Sequence, residues 1–434
     1  MKTRNLTPLV LETLSDTPVV FIRGPRQSGK TTLVQHLRDA GHEAAYFTFD
    51  EAAVLSAAQA DPDAFIAGLP ERVILDEVQR APELFRAIKL SVDRNRAPGR
   101  FVLTGSANAL VLPGVSESLA GRMGVLTLHP FSQGEREGVK EGFIDACFAA
   151  KFSPANLASD SDANADDDNA TASASSGWPA LARRIAAGGF PEACERMSAT
   201  RRAAWFDSYL TTLIERDVRD IANIQGLRDL PRLLKLAATR ASGMLNQTNL
   251  ARDASLPLTT LQRYWSLLEA TFLVQTLPAW SASLGVRLVK APKVFLNDTG
   301  LLCALLGIDA ARLQTDGLMT GALLESFVVQ ELARQSAWNA TRADMFHFRT
   351  HAQQEVDIVL EDAKGRLVGI EVKKTTSPGA GDFKGLKTLQ AATGKKFLRG
   401  ILLHAGAQSL SFAPELHAMP VSALWRLNAR SVVS

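Results

Sequence analysis

Along the first 130 residues, short uninterrupted apolar runs alternate with longer mixed stretches. The runs are Val19-Val20-Phe21-Ile22, Ala44-Ala45-Tyr46-Phe47, Val73-Ile74-Leu75, Phe101-Val102-Leu103 and Val125-Leu126-Thr127-Leu128. Each has strand length, and the intervals are long enough for crossover helices. Runs without alternation belong to strands buried on both faces, so the pattern predicts a parallel α/β sheet covered by helices.

From Trp178 to about Ala279 the apolar spacing becomes helical, as in Thr211 to Val218 and Leu230 to Ala237. Asn246 to Asp253, a break at Leu256-Pro257, and Thr259 to Trp265 continuing through Leu267 and Leu268 read as helix, turn, helix. Thr259 and Thr260 stand near the second helix's start and Arg263 can face outward. DNA contact and a mere packing unit are both open at this point. From Pro292 onward mixed α/β character returns, with an amphipathic helix over Leu323 to Ala333 and strands over Val356 to Leu360, Leu367 to Val372 and Phe397 to Leu403. Gly365 turns between the first two of these.

Ser153 to Ser176 breaks the pattern with Ala, Ser, Asn and the aspartates Asp160, Asp162, Asp166, Asp167 and Asp168. It lacks the apolar side chains needed to offset ordering entropy, which predicts a disordered acidic linker or loop; a nucleic-acid mimic lying in a basic groove is the alternative. The expected domains are 1–150, a parallel sheet that Gly24-Pro25-Arg26-Gln27-Ser28-Gly29-Lys30-Thr31, after its first strand, marks as a phosphate-loop nucleotide hydrolase; 151–177, the linker; 178–290, a helical region with a helix-turn-helix-like or winged-helix-like unit; and 291–434, a C-terminal α/β domain. A length of 434 residues agrees with several domains.

Apolar residues at 46% and charged residues at 21% can fill ordinary cores, and a formal charge of +3 does not mark a nucleic-acid binder, so any basic surface would be local. Cys147, Cys194 and Cys303 form no CxxC pair, which argues against a zinc ribbon or disulfide framework and suits a reducing cytoplasm. No run of eighteen apolar residues occurs, so a membrane partner is not expected. His36, His347 and His351 have no coherent metal spacing, and Trp205, Trp265, Trp280 and Trp338 read as core or interface residues.

The sharpest chemical signal is Gly24-Pro25-Arg26-Gln27-Ser28-Gly29-Lys30-Thr31, with Thr32 next, directly after the first strand. This is the full GxxxxGK[ST] pattern: glycines let backbone N–H groups wrap phosphates, a helix begins near Lys30, Lys30 reaches the β- and γ-phosphates, and Thr31 holds magnesium. ATP with Mg2+ is the expected ligand. Val73-Ile74-Leu75-Asp76-Glu77 places Asp76 to orient the metal and Glu77 to polarise an attacking water. Thr104 and Ser106 end a further strand and either bind that water or the γ-phosphate, or cap a turn. Arg122 is a candidate arginine finger, acting on its own nucleotide or on a neighbour's, or a surface ion-pair partner; Arg26 is a second candidate cation. A finger acting between chains would require a homo-oligomer or partner protein.

At the C-terminal end, Glu355-Val356-Asp357 precedes Gly369-Ile370-Glu371-Val372-Lys373 by a hairpin-sized gap. Glu371 and Lys373 face one side of their strand, toward Asp357. Asp357 and Glu371 could hold Mg2+ or Mn2+, Glu325 could complete the shell, and Lys373 could position a water against a phosphodiester, making DNA a possible partner. A solvated charged strand is the alternative. Lys374, Lys384 and Lys387 are the local cations.

Arg23 to Thr32, Leu75 to Gln79, Leu103 to Ser106, Leu119 to Arg122, Gly188-Gly189-Phe190-Pro191-Glu192, Lys293 to Leu301, Leu324-Glu325 and the two C-terminal acidic blocks together resemble a prokaryotic family of AAA+-superfamily ATPases fused to a domain of unknown function, number 4143. The resemblance implies an ATPase. Its C-terminal blocks are similar to the PD-(D/E)xK nuclease superfamily, which implies a restriction-endonuclease-like core, with Asp357, Glu371 and Lys373 on the motif, Glu325 as the helical acid, and Val356 in place of the proline.

Overall fold

The computed structural model describes residues 2–105, 119–152, 154, 177–218, 229–315, 317, 319–350 and 352–427. Ser106, His351 and the predicted acidic linker, apart from Pro154, lie outside the described residues.

The N-terminal unit is built from α1 (Thr7–Asp16), β1 (Val19–Arg23), α2 (Lys30–His36), β2 (Ala45–Thr48), α3 (Ala52–Ala60), α4 (Pro62–Ala67), β3 (Val73–Asp76), α5 (Leu84–Arg94), β4 (Phe101–Gly105) and β5 (Met123–Thr127). Its strands form a wholly parallel sheet in the order β2-β3-β4-β1-β5. Val19, Phe21, Leu75 and Leu103 pack on one face and Val20, Ile22, Ile74 and Val102 on the other, which is why these strands read as unbroken apolar runs. Parallel order puts every strand's C-terminal end on one edge, where the loop after β1, Asp76 and Thr104 gather.

Two short helices follow, α6 (Gln133–Glu137) and α7 (Phe143–Phe148), then α8 (Gly177–Ala187) and α9 (Ala199–Thr212). Next come α10 (Leu230–Ala238), α11 (Gln247–Ala254) and α12 (Leu258–Ala270). The Asn246 side chain caps α11 by accepting from the Asn249 amide at 2.9 Å, a contact worth about 1 kcal/mol, and Ser255 turns the chain left-handed at φ 58° before α12. Leu261, Tyr264, Trp265 and Leu268 bury one face of α12, leaving Thr259, Gln262, Arg263 and Ser266 on the other. The chain then forms an antiparallel hairpin, β6 (Val274–Leu277) and β7 (Lys293–Leu296), with α13 (Leu284–Val289) in its long tip. This hairpin straddles the boundary expected at residue 290.

After α14 (Thr299–Leu306), the C-terminal unit runs α15 (Thr320–Ser336), β8 (Ala343–Arg349), β9 (Glu355–Asp362), β10 (Leu367–Lys373), α16 (Lys384–Thr393), β11 (Phe397–His404), β12 (Leu410–Ala413) and β13 (Leu416–Pro420). The sheet order is β12-β13-β11-β10-β9-β8; β8, β9 and β10 are antiparallel neighbours, whereas β10, β11 and β13 are parallel. Ile358, Leu360, Ile370 and Ile401 share a core with Phe327 and Val328 of α15; Val359, Leu367 and Leu402 pack with Leu386 and Leu389 of α16. One helix therefore covers each face. That core also takes in α10, α11 and α12, so the helical and C-terminal units are packed together.

Candidate nucleotide site and C-terminal acidic centre

The turn from β1 into α2 is left-handed at Gln27 (φ 57°) and again at Gly29 (φ 93°). Alternating handedness of this kind shapes a concave nest of amides. Gly24 is required by space, since a Cβ there would stand 2.1 Å from the Leu128 carbonyl oxygen. The Lys30 ammonium, almost fully buried, donates to the carbonyls of Gly24 and Pro25 at 3.1 and 3.0 Å. The fully buried Ser28 hydroxyl has no hydrogen-bond partner among the described residues. An unpaired buried hydroxyl and a lysine lying along carbonyls inside a nest fit a phosphate chain, which supplies the missing oxygen acceptors.

Behind the loop the hydroxyls converge on Asp76. Thr31 Oγ1 donates to Asp76 Oδ2 at 2.9 Å, the Tyr46 hydroxyl donates to the same oxygen at 2.7 Å, and the Thr104 hydroxyl donates to Oδ1. Burial and then Asp76 push the Tyr46 phenol above its ordinary range, so it stays a donor. Thr104 also accepts from the Glu77 amide at 3.2 Å. Its hydroxyl is thus engaged with the Asp76 carboxylate and the Glu77 backbone and lies fully buried behind them. Glu77 is itself left-handed at φ 60°, a conformation that costs a non-glycine residue about 1–3 kcal/mol and projects its half-buried carboxylate, which accepts from the Gln79 amide.

Thr32 and Gly29 face a cleft of about 720 Å³ between α2 and the helical region, whose far wall includes Arg184 and Cys194. Arg4 lies in its wall. The Arg4 guanidinium, stacked 4.8 Å from the Phe131 ring centroid, donates to Ser28 O at 2.7 Å, His129 O at 2.6 Å and Glu135 Oε1 at 3.0 Å.

In the C-terminal unit Asp357, Glu371, Lys373 and Glu325 converge as the strand geometry predicts, with one addition. Asp357 Oδ2 accepts from the Val372 amide at 2.9 Å, Glu371 is hydrogen-bonded to Asp357, and Lys373 Nζ stands 3.5 Å from Glu371 Oε2. Gly385 opens α16 against this group; a Cβ there would lie 2.3 Å from Glu371 Oε1. The addition is Lys293, the first residue of β7. Only 3% exposed, its ammonium stands 2.8 Å from Glu325 Oε1 and 3.6 Å from Asp357 Oδ1. Burial and then the Asp357 charge push the Glu325 carboxyl up to about 8 and that of Glu371 up to about 9. A divalent metal does not fit the centre as it stands, because the Lys293 ammonium sits 2.8 Å from Glu325 and 3.6 Å from Asp357, two of the expected ligands.

Three family models match the chain in succession: an AAA domain over 16–137, a domain of unknown function, DUF8612, over 179–312, and another, DUF4143, over 320–424. The uncharacterized protein Rv2008c of Mycobacterium tuberculosis is 32% identical over 362 residues, spanning 83% of this chain and 71% of that protein, and Mb2031c of Mycobacterium bovis matches to the same extent. The chain belongs to the family of AAA-domain ATPases fused to a C-terminal DUF4143 domain. ATP binding and hydrolysis are the activities of its AAA domain. Among solved structures, the Walker-type ATPase PABY2304 of Pyrococcus abyssi is 15% identical at a TM-score of 0.42, over 70% of this chain and 98% of that one. RuvB of Thermotoga maritima is also 15% identical, at a TM-score of 0.28, over 63% and 89% of the two chains.

In this ATPase–DUF4143 chain, Arg122 is not brought to the nucleotide site. It precedes Met123, which pairs with Val19 at the start of β1, so it lies at the sheet edge opposite the loop, roughly 13 Å away along the strand. There its Nε donates to Asp93 Oδ1 at 2.6 Å and holds that carboxyl below its usual range. Action on its own nucleotide is excluded by this placement, and the ion-pair alternative is what the structure contains. Arg4, Tyr46, Gln79 and Lys293 were not singled out from the sequence for these contacts. Of these, Lys293 carried a usable signal, being a lysine that opens the otherwise apolar strand Lys293–Leu296.

A buried polar chain also links the AAA domain to DUF4143. Glu135 caps α6 in a capping box with Ser132; the Gln133 amide donates to Glu331 Oε2 of α15 at 2.8 Å; and Arg334 donates to Glu331 and, at 3.3 Å, to Asp298 Oδ2, which accepts from the Gly189 amide at 2.7 Å. Helix α15 therefore carries Glu325 into the acidic centre and Glu331 and Arg334 toward the phosphate loop. Among the described residues no helix is long and apolar enough to cross a membrane.

Proposed function

We propose that the chain is a magnesium-dependent ATPase whose nucleotide state gates a DNA- or protein-binding unit, with Lys30, Thr31, Asp76 and Glu77 as its working residues. The observation that carries this reading is the convergence of Thr31, Tyr46 and Thr104 on Asp76 beneath a phosphate nest containing an unpartnered Ser28 hydroxyl. The nest and Lys30 would bind the phosphate chain, and the cleft beside Gly29 and Thr32 would take the nucleoside. Magnesium, held by the Thr31 hydroxyl and oriented through Asp76, would neutralise charge on the β- and γ-phosphates. Glu77, aimed by its left-handed backbone and held by Gln79 and Thr104, accepts a proton from the water that attacks the γ-phosphorus as the bond to the β-phosphate oxygen breaks. Arg26 and the N-terminus of α2 add positive potential around the departing charge. The test is ATP affinity with and without magnesium: Asp76→Asn removes most of the magnesium-dependent gain, and an unchanged gain would contradict the assignment.

For the remainder of the chain, we read the order α10, α11, α12 and hairpin β6–β7 as a winged-helix-like unit, with Thr259, Gln262 and Arg263 outward on α12. We read the order α15, β8, β9, β10, α16, β11 as a PD-(D/E)xK-like core, in which Asp357, Glu371 and Glu325 would be the acids. A second reading is favoured by Lys293: with an ammonium seated at Glu325 and Asp357, the DUF4143 domain serves as a nuclease-like scaffold rather than as a phosphodiesterase. Titrating duplex DNA onto the chain with and without a non-hydrolysable ATP analogue separates these ideas. Gating predicts nucleotide-dependent affinity that Arg263→Glu weakens; cleavage in magnesium or manganese that Asp357→Ala abolishes would restore the nuclease reading.

A further inference from the structure

Lys293 does not belong to the DUF4143 sheet whose acids it meets. It comes from hairpin β6–β7, and its backbone is clamped on both edges: β6 pairs along one side, while the Leu245 amide donates to Pro292 O at 2.8 Å and the Val294 amide to Gly243 O at 2.9 Å on the other. The hairpin is in turn docked on the C-terminal unit. The Ser242 hydroxyl donates to Ala322 O of α15 at 2.9 Å, the His347 amide donates to Pro278 O at 2.9 Å, and Arg287 pairs with Glu361 at 2.5 Å. Burying a flexible ammonium this deeply is costly unless paired carboxylates surround it, and Glu325 and Asp357 do. A divalent ion at the same oxygens would stand within a few ångströms of that positive charge, so the two cations compete for Glu325 and Asp357.

We propose that Lys293 is the resident cation of this acidic centre, competing with divalent metal for Glu325 and Asp357, so that DUF4143 is metal-free while the hairpin is docked and gains a manganese- or magnesium-binding site when Lys293 is withdrawn. This deepens the scaffold reading and rests on it. The connection gives the winged-helix-like unit a direct hold on the C-terminal centre, because anything that lifts the hairpin also extracts the ammonium.

The experiment titrates MnCl2 into the full chain by calorimetry and electron paramagnetic resonance, comparing wild type with Lys293→Met, each measured with and without Asp357→Asn so that uptake elsewhere is subtracted. The expected result is no Asp357-dependent uptake by wild type and one manganese gained by Lys293→Met, or an affinity raised by at least about tenfold. Asp357-dependent uptake by wild type that is as tight as in Lys293→Met overturns the proposal. Should Lys293→Met fail to fold, amide hydrogen exchange of wild type in excess manganese decides: faster exchange over residues 293–296 on Asp357-dependent binding, or no such binding, supports competition, whereas such binding with unchanged exchange overturns it. Duplex DNA supplied with manganese separates the two ideas. Cleavage by Lys293→Met would leave the competition standing and refute the scaffold reading.

Discussion

Replacing Arg4 by Met tests how the phosphate loop is held in place. Arg4 is 6% exposed, and its partner Glu135 is buried on the opposite side of the ion pair. Removing the guanidinium strands that carboxylate, which retains the Asn5 amide at 2.7 Å and the Ser132 amide at 3.2 Å, and breaking one side of a buried pair costs about 3–5 kcal/mol. The second loss is local to the nucleotide site, where the 2.7 Å bond from Arg4 to Ser28 O fixes the peptide leading into Gly29 and Lys30. A hydrogen bond to a charged group is worth about 1.5–3 kcal/mol; if that loss falls on the loop's binding-competent shape, ATP affinity drops by about ten- to a hundredfold. Arg334→Met supplies the control, because it strands Glu331 and Asp298 at comparable cost without touching the loop. Thermal melts and ATP calorimetry on both variants are compared. The account predicts that both melt lower while only Arg4→Met also loses ATP affinity; equal ATP affinity in the two variants would refute the claim that Arg4 shapes the loop.

Burial pushes the His347 imidazole down to about 4, aided by Lys293, Lys290 and Arg349, although its Nε2–H donates to Ala291 O at 3.2 Å. With the folded pKa below the ordinary value of about 6.5, its contribution is present above pH 6.5 and lost as pH falls toward 4, about 3 kcal/mol in all; His347→Asn should flatten the urea-stability profile over that interval, and an unchanged slope would count against it. Arg122→Ala should leave single-chain ATP turnover within about twofold of wild type, since the residue sits at the far sheet edge on Asp93; a loss of a hundredfold or more in a verified monomer would contradict that placement.

The parts of the molecule legible in the sequence are those whose signal is local. The phosphate loop, the Asp76-Glu77 strand end and the Glu371/Lys373 alternation are fixed by spacing within a few residues, and strands buried on both faces announce themselves as unbroken apolar runs. Arg122 could have been placed by the same reasoning, because a residue that begins a parallel strand stands at the edge away from a loop that ends one. Arg4 and Lys293 lie beyond this reach. Arg4 meets Glu135 and Ser28 only because the N-terminal segment crosses the loop after β5, and Lys293 meets Glu325 and Asp357 only because a hairpin from one unit docks on another. No periodicity records such meetings. For Thr104 the strand pattern gives its position at the edge and not the orientation that turns its hydroxyl onto Asp76.

The most direct test of the central claim pairs ATP calorimetry with single-turnover hydrolysis in magnesium for wild type, Lys30→Ala and Glu77→Gln. Lys30, lying against the carbonyls of Gly24 and Pro25, is assigned to binding, and Glu77, on its left-handed turn beside Thr104, to activating water. The account predicts that wild type binds and hydrolyses ATP, that Lys30→Ala loses binding, and that Glu77→Gln binds like wild type but hydrolyses at least about a hundredfold more slowly. Folded wild-type protein that binds no ATP, or a Glu77→Gln variant that turns over at the wild-type rate, would contradict it.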